Sequence, residues 1–118
     1  MSMKYTTELG SVVVDTKVIA QIAGLSAIEL YGIVGMAMVS FKDGIVKLLS
    51  RNSLAKGVNV VIENNEITVD FHIIIEYGIN IKAVTENLIS TVKYKLEKFS
   101  GMKVKQINVF VEGVRVDE

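Results

Sequence analysis

The 118-residue sequence contains no cysteine, no proline and no tryptophan, and it has a single histidine. Without cysteine the chain cannot form a disulfide bond, a thiolate nucleophile, an iron–sulfur cluster or a zinc ribbon. One histidine is also too few for a zinc site built from several imidazoles. Most catalytic and metal chemistries are thereby excluded. We therefore predict a protein that is not an enzyme, binds no metal and needs no cofactor.

Charge and hydropathy favour assembly. The 13 basic and 13 acidic residues give a formal net charge of zero, which argues against a general binder of polyanions. A chain without net charge also has little self-repulsion. Half of the residues are hydrophobic, and the mean hydropathy is +0.42. A single domain over residues 1–118 would leave some apolar surface outside its core, so we expect a homo-oligomer or a partner-binding surface.

No targeting or membrane segment is recognisable. The stretch Met1–Tyr5 lacks the apolar run of a signal peptide. The longest nearly unbroken apolar stretch, Ile33–Val39, is far shorter than the ~20 residues that span a bilayer. We expect a cytoplasmic protein with no membrane span of its own.

Hydrophobic periodicity predicts the element order β-α-β-(α)-β-β-α-β. Such a chain most simply forms an α+β fold, a two-layer α/β sandwich in which helices cover one side of a mixed sheet. The order of the strands within the sheet stays open. The predicted elements are a strand at 12–14, a helix over 16–30 capped by Asp15, a strand over 33–40, a short helix from Asp43 to about Arg51, a helix over 81–99 capped by Asn80, and a strand over 103–112.

Between the short helix and the long helix lies the clearest local signal, a β-hairpin with strands over 58–63 and 66–77. The Asn-Asn pair at 64–65 tolerates the positive φ angles of a type I′ turn. A two-residue loop pairs 62 with 67, 60 with 69 and 58 with 71, and every one of these pairs is apolar. Turn chemistry and hydrophobic alternation thus predict the same register.

The long helix has apolar residues at every third or fourth position, which predicts a face buried in the core. Ser100-Gly101 predicts its end, with the glycine in the left-handed conformation. The predicted core positions of this helix are Ile81, Val84, Leu88, Val92, Leu96 and Phe99.

His72 is the only side chain that suggests acid–base chemistry. Strand alternation places it with Asp70, Ile74 and Glu76 on the face away from the core. A pair of Asp70 and His72 could orient an imidazole for proton transfer, but no serine or threonine lies in a nucleophile motif. We interpret His72 as a polar residue on the open face of the sheet. An enzyme built around it is a rival hypothesis.

Nucleic-acid binding is the alternative function. Residues 32–35 match the GxxG loop of KH domains, but they include no basic residue and lead into a strand. Residues 93–105 include five lysines and one glutamate, whereas 63–76 include four acidic residues and no basic one. These are two solvated faces or a dipolar surface that docks copies head to tail. Binding of the predicted helix around 42–56 to an anionic membrane surface is a further rival.

Self-association or a protein partner would use the surface residues that these patterns single out. Val61 and Ile74 are expected to be apolar and exposed on the open face of the sheet. The lysines lie at the end of the long helix and the start of the last strand. The candidate interaction residues are Val61, Ile74, Lys93, Lys95, Lys98, Lys103 and Lys105.

Several short segments occur in a distinctive order along nearly the whole chain. They are Gly10-Ser11-Val12, residues 18–24 (VIAQIAG), Ala27, Glu29, residues 31–36 (YGIVGM), Gly57-Val58, Tyr77-Gly78 and residues 109–114 (VFVEGV). Together, over about residues 8–116, the sequence resembles the alkaline shock protein family of Gram-positive bacteria.

The resemblance implies a cytoplasmic, non-enzymatic protein of envelope stress and envelope homeostasis. It also implies action through self-association or through a membrane-anchored protein partner, and no catalytic residues. The glycines that match the family are expected to serve backbone geometry. The chain has almost no tail beyond Val116, so it is similar to the short housekeeping-type members. The matching glycines are Gly24, Gly32, Gly35, Gly78 and Gly113.

Overall fold

Seven strands and two helices form in the residues that the computed structural model describes, which are 2–7, 9–40 and 44–116. The predicted α+β class is confirmed. The helices are α1 (Thr16–Ile28) and α2 (Ile81–Ser100), and a 3-10 helical segment spans Arg51–Gly57. The strands are β1 (Ser2–Thr7), β2 (Gly10–Asp15), β3 (Ile33–Ser40), β4 (Ile45–Leu48), β5 (Val58–Glu63), β6 (Glu66–Glu76) and β7 (Lys103–Arg115).

β6 is the centre of a five-stranded mixed sheet. Antiparallel β5 pairs with its first half and antiparallel β3 with its second half, while β7 runs parallel along its whole length. Because a strand has two edges, β5 and β3 share one edge of β6 and β7 takes the other. α2 connects β6 to β7, since two parallel strands need a crossover between them. β4 pairs with β3 at the other side of the sheet.

A separate two-stranded sheet precedes α1. β1 and β2 pair antiparallel, with Met3 opposite Val14 and Tyr5 opposite Val12, and they share no ladder with the five-stranded sheet. The sequence pattern predicted the second strand of this hairpin and not the first.

The β5–β6 hairpin has the predicted register, including the pair of Ile62 and Ile67. Asn64 and Asn65 adopt φ angles of 52° and 62°, as a type I′ turn requires. Local turn chemistry and hydrophobic alternation therefore determined this part of the fold together.

The core lies between the helices and one face of the sheet. From α2 it receives Val84, Leu88, Val92 and Leu96, as predicted. The Asn80 side chain accepts a hydrogen bond from the backbone N–H of Ala83, and Gly101 ends the helix with a φ of 74°. Two predicted core positions were wrong: Ile81 and Phe99 are 48% and 49% exposed. Both lie in the terminal turns of the helix, beyond its four buried apolar positions.

Small residues allow α1 to pack closely. Asp15 caps the helix by accepting a hydrogen bond from the backbone N–H of Lys17. A Cβ atom at Gly24 would lie 3.1 Å from Cβ of Leu54 in the 3-10 segment, so this contact requires a glycine or a small shift. α1 ends at Ile28, two residues before the predicted end.

The short helix predicted from Asp43 to Arg51 was wrong, and Asp43 itself lies outside the described residues. Ile45–Leu48 form β4, which pairs antiparallel with β3 in a register that opposes Leu48 to Ala37. A short apolar run fits either structure, and pairing with the free edge of β3 decides between them. The helical turns come later, at Arg51–Gly57.

Candidate binding face of the sheet

The two helices pack on one face of the sheet and leave the opposite face without a helical layer in the described part of the chain. The odd-numbered residues of β6 from Ile67 to Ile75 belong to the core cluster that includes α1 and α2. Alternation therefore puts the even-numbered residues on the other face, which we call the open face. The open face carries Val61, Thr68, Asp70, His72, Ile74, Gln106, Asn108 and Phe110.

An aromatic stack lies at the middle of the open face. The register places Phe110 of β7 beside His72 of β6, and their rings are stacked, with centroids 5.0 Å apart and planes inclined by 14°. Phe110 is 45% exposed. Stacking on His72 fixes the orientation of an apolar ring that solvent still reaches. Large aromatic side chains of restricted mobility are common at the centres of protein interfaces.

Glu112 completes this cluster from a bulge in β7. The β6–β7 register shifts between Ile73 and Ile74, so Glu112 is skipped in the pairing. Its Oε1 lies 3.5 Å from Nδ1 of His72. That Nδ1 is buried and has no hydrogen-bond partner among the described residues. The carboxylate thus approaches the imidazole without forming a proper hydrogen bond.

A polar ladder lies beside the aromatic stack. The side-chain amide of Gln106 donates to Oδ1 of Asn108 at 2.7 Å. The Asn108 amide donates in turn to Oδ1 of Asp70 at 2.8 Å. Asp70 is therefore engaged with Asn108, and the hydrogen bonds of the described residues include none between Asp70 and His72. The Asp–His pair considered from sequence is not formed.

Among the described residues, the surroundings of His72 on the open face have few groups that could take part in catalysis. Within the described residues no group of three or more His, Asp or Glu side chains could hold a metal ion. Beside His72 lies a small depression of about 150 Å³, which Lys56 and the apolar residues 37–39 also line. No hydroxyl side chain contributes to that lining.

The structure separates the two apolar residues predicted for interaction. Val61 is exposed on β5, as expected. The expectation that Ile74 is exposed was wrong, because only 2% of it is accessible. Ile74 lies between Gly35 of β3 and Gly113 of β7, and a Cβ atom at Gly35 would lie 2.8 Å from Cδ1 of Leu48. The Leu48 side chain of β4 therefore lies over this glycine, beside Ile74.

The five predicted lysines do not form one patch. Lys93 and Lys95 are two residues apart on α2 and so point to nearly opposite sides of the helix. Lys95 faces α1, where its Nζ lies 3.8 Å from Oε2 of Glu29. Nζ of Lys98 lies 5.8 Å from the ring centroid of Tyr94 on the same helix.

Two more lysines, Lys103 and Lys105, are exposed at the start of β7. Lys103 pairs in register with Glu66, so the basic and acidic stretches meet at the same end of the sheet. A dipole between opposite ends of the molecule does not result from this arrangement. The structure therefore gives the head-to-tail hypothesis no support.

Packing accounts for the glycines of the GxxG segment. Gly32 has a φ of 88°, and a Cβ atom there would lie 2.8 Å from Cγ2 of Val84. A Cβ atom at Gly35 would lie 2.8 Å from Cδ1 of Leu48. Gly35 is inside β3, so no loop is available to clamp a nucleic-acid backbone.

The hypothesis that a helix over 42–56 binds a membrane surface requires a helix that the described residues do not form, because β4 and the 3-10 segment lie in this stretch. Lys42 lies outside the described residues. None of the helices in the described ranges is both long and apolar enough to cross a membrane.

Sequence reasoning missed Phe110 and Glu112 as members of the candidate site. Their positions depend on parallel pairing with a strand some 38 residues earlier, as the Asp70–Asn108 hydrogen bond shows. They also depend on the bulge in β7. A run of Val-Phe-Val-Glu-Gly is a weak signal for a bulge by its glycine alone.

Comparisons with known proteins agree with one another. A model of the alkaline shock protein 23 family, described as having a cell envelope-related function, matches residues 4–116. YloU of Bacillus subtilis is 38% identical over 117 residues, covering 98% of both chains. Spy1614 of Streptococcus pyogenes is 37% identical over 98% of this chain and 97% of its own.

A more distant relative carries a functional name. A stress response regulator gls24 homolog of Streptococcus pyogenes is 28% identical over 92% of this chain and 61% of its own length. No solved structure matches the chain. The family description refers to the cell envelope, and the name of this relative refers to the stress response.

Proposed function

The chain belongs to the alkaline shock protein 23 family, whose function is related to the cell envelope, and on that premise we propose that it is a non-enzymatic scaffold of the envelope stress response. It acts by binding a protein through the open face of the sheet. A membrane-anchored partner would hold the protein at the membrane periphery.

One observation carries this proposal: the half-exposed ring of Phe110 is held by stacking on His72 at the middle of a face without a helical layer. Partially exposed, rigid aromatic side chains are typical anchors of protein interfaces. Val61 adds apolar area on the same face, and the ladder of Asp70 and Asn108 adds polar groups for its rim.

A nucleic-acid-binding module is less well supported. Single-stranded nucleic acid is bound by basic grooves with aromatic side chains on which bases stack. The lysines of α2 point in different directions, and Lys95 is paired with Glu29. Phe110 lies among Asp70, Glu112 and neutral amides, which is an unfavourable environment for a phosphate chain.

The proposal is tested by Phe110→Ala, with Phe99→Ala as the matched control. Both side chains are phenylalanines of nearly equal exposure, 45% and 49%, but Phe99 lies on α2, away from the open face. Each variant replaces the wild-type gene in the host, and survival is measured under cell-wall-active antibiotics at matched protein levels. We expect Phe110→Ala to behave like a gene deletion and Phe99→Ala like the wild type.

A fractionation experiment tests the kind of partner. The purified protein is mixed with membranes from the host, with protease-shaved membranes and with vesicles of anionic lipid. Binding to intact membranes alone, reduced by Phe110→Ala, is the expected result. Equal survival of Phe110→Ala and the wild type, or equal binding to lipid vesicles, would refute the proposal.

A further inference from the structure

One edge of the sheet has no partner strand in the described part of the chain. β7 pairs with β6 on one side and with no described strand on the other, over its 13 residues. A free strand edge presents a row of unpaired N–H and C=O groups, and it is a template for another strand. β7 is the longest strand of the sheet, whereas β4 at the opposite side has only four residues.

The ends of this edge are protected and its middle is not. Charged residues and bulges are the usual devices that discourage pairing at a free edge. Lys103 and Lys105 stand at one end of β7 and Arg115 at the other, and register shifts fall at Lys105 and Glu112. Between the two bulges the sequence is Gln-Ile-Asn-Val-Phe-Val, without charge, proline or glycine.

We propose that residues 107–111 of this middle segment pair antiparallel with residues 107–111 of a second copy of the chain, about a two-fold axis at Val109. The pairing opposes Val109 to itself, Ile107 to Val111 and Asn108 to Phe110. In this register, opposed residues are both odd-numbered or both even-numbered. The open faces of both copies therefore lie on the same side of one continuous sheet.

Side-chain complementarity selects this register. On the helix side, Ile107 and Val109 are half-buried and Val111 is 37% exposed, so pairing continues the apolar layer from one copy into the next. On the open face, the Gln106 amide comes opposite the Glu112 carboxylate. These are a donor and an acceptor.

Neighbouring registers are poorer. An axis at Asn108 would oppose the charged Lys105 to the apolar Val111. An axis at Phe110 would oppose Ile107 to Gly113 and the polar Gln106 to Val114, so an apolar pair would be lost. The interface is isologous, so it closes as a dimer and does not grow into a fibre.

The absence of cysteine from the chain permits a direct test of the register. In an antiparallel pair, directly opposed residues have Cα atoms about 4.5 or 5.5 Å apart, and both distances allow a disulfide bond. Val109→Cys should therefore cross-link to itself under mild oxidation. Val111→Cys is the control, since position 111 in one copy would lie four residues, roughly 14 Å, from position 111 in the other.

The control is stringent because Val111 is more exposed than Val109, so random collisions would favour cross-linking at 111. We expect at least tenfold faster dimer formation with Val109→Cys than with Val111→Cys. Cross-linking should be restored when Ile107→Cys and Val111→Cys are combined in one chain, because positions 107 and 111 of the two copies are directly opposed. Equal or faster reaction of Val111→Cys alone would overturn the proposed register.

Solution mass gives an independent result with the cysteine-free protein. We expect a species of twice the 13.0 kDa chain mass in concentrated samples by sedimentation, and at least a tenfold weaker dimer for Val111→Lys. Circular dichroism of Val111→Lys verifies that the half-exposed site tolerates lysine in the monomer. A strictly monomeric wild type, or a dimer unaffected by Val111→Lys, would overturn the proposal while leaving the role of Phe110 untouched.

Discussion

Gly32→Ala tests whether packing and backbone conformation, and not ligand binding, require the glycine that begins the GxxG segment. Gly32 has a φ of 88°, in the left-handed region. A Cβ atom there would lie 2.8 Å from Cγ2 of Val84 and 2.9 Å from Cδ1 of Ile79. Both distances are shorter than nonbonded Cβ contacts, so a neighbour has to move.

Two terms contribute to the expected loss. An L-residue in the left-handed conformation costs roughly 1–2 kcal/mol. Overpacking against a rigid neighbour costs roughly 1–3 kcal/mol more. Val84 is such a neighbour, because it is buried and β-branched. The free energy of unfolding should therefore fall by roughly 2–5 kcal/mol, a large share of the ~5–15 kcal/mol of a typical domain.

Gly78→Ala separates the two terms. Gly78 has nearly the same φ, 87°, but a Cβ atom there would meet nothing within 4 Å. Both variants are compared with the wild type by equilibrium urea unfolding at one fixed protein concentration, since self-association would shift the midpoint. We expect a loss of roughly 1–2 kcal/mol for Gly78→Ala and a clearly larger loss for Gly32→Ala. Equal losses would refute the packing argument, and no loss at either site would refute the strain argument.

Three further substitutions test the core, the turn and the open face. Leu88→Ala removes a fully buried side chain and should lower the free energy of unfolding by about 2–5 kcal/mol. Ile81→Ala is the control, since Ile81 is half-exposed and its loss should cost under about 1 kcal/mol. Equal losses in urea unfolding would contradict the assigned buried face of α2. Asn65→Gly should raise stability by up to about 1 kcal/mol, because Asn-Gly is the preferred type I′ pair; a lower melting temperature would argue against the turn type. Asn108→Ala should cost about 1–2 kcal/mol through loss of its bond to Asp70, and a double-mutant cycle with Asp70→Ala should show coupling rather than additivity.

The parts of the fold that follow from local chemistry were predictable. The Asn-Asn turn with its flanking apolar pairs set the register of the β5–β6 hairpin. Asn80, Gly101 and the apolar spacing between them set the bounds of α2 to within one residue. In each case two independent local signals agreed. A sequence specifies a structure when turn or cap chemistry and the hydrophobic pattern favour the same arrangement.

The predictions that were wrong concern residues whose structure depends on strands distant in the sequence. Ile45–Leu48 form a strand because β3 offers a free edge, which no local pattern reveals. Ile74 is buried on the open face, where the Leu48 side chain of β4 lies over the neighbouring Gly35. The candidate site was missed for the same reason, since the neighbours of His72 come from β7 and their position depends on a bulge.

The exposed anchor and the free edge belong to the same strand, and the topology explains why. The crossover through α2 places β7 at the side of the sheet, parallel to β6, and its other edge has no partner among the described strands. Pairing of two such edges would put two Phe110 anchors on one continuous open face. A partner with two matching sites would then bind the second site at high effective concentration, so its apparent affinity would exceed that of a single site. Val111→Lys should therefore weaken binding to a repeated or membrane-clustered partner much more than binding to a single copy of it, whereas Phe110→Ala should weaken both. The edge would set how many anchors act together, and the aromatic stack would set how tightly each one binds.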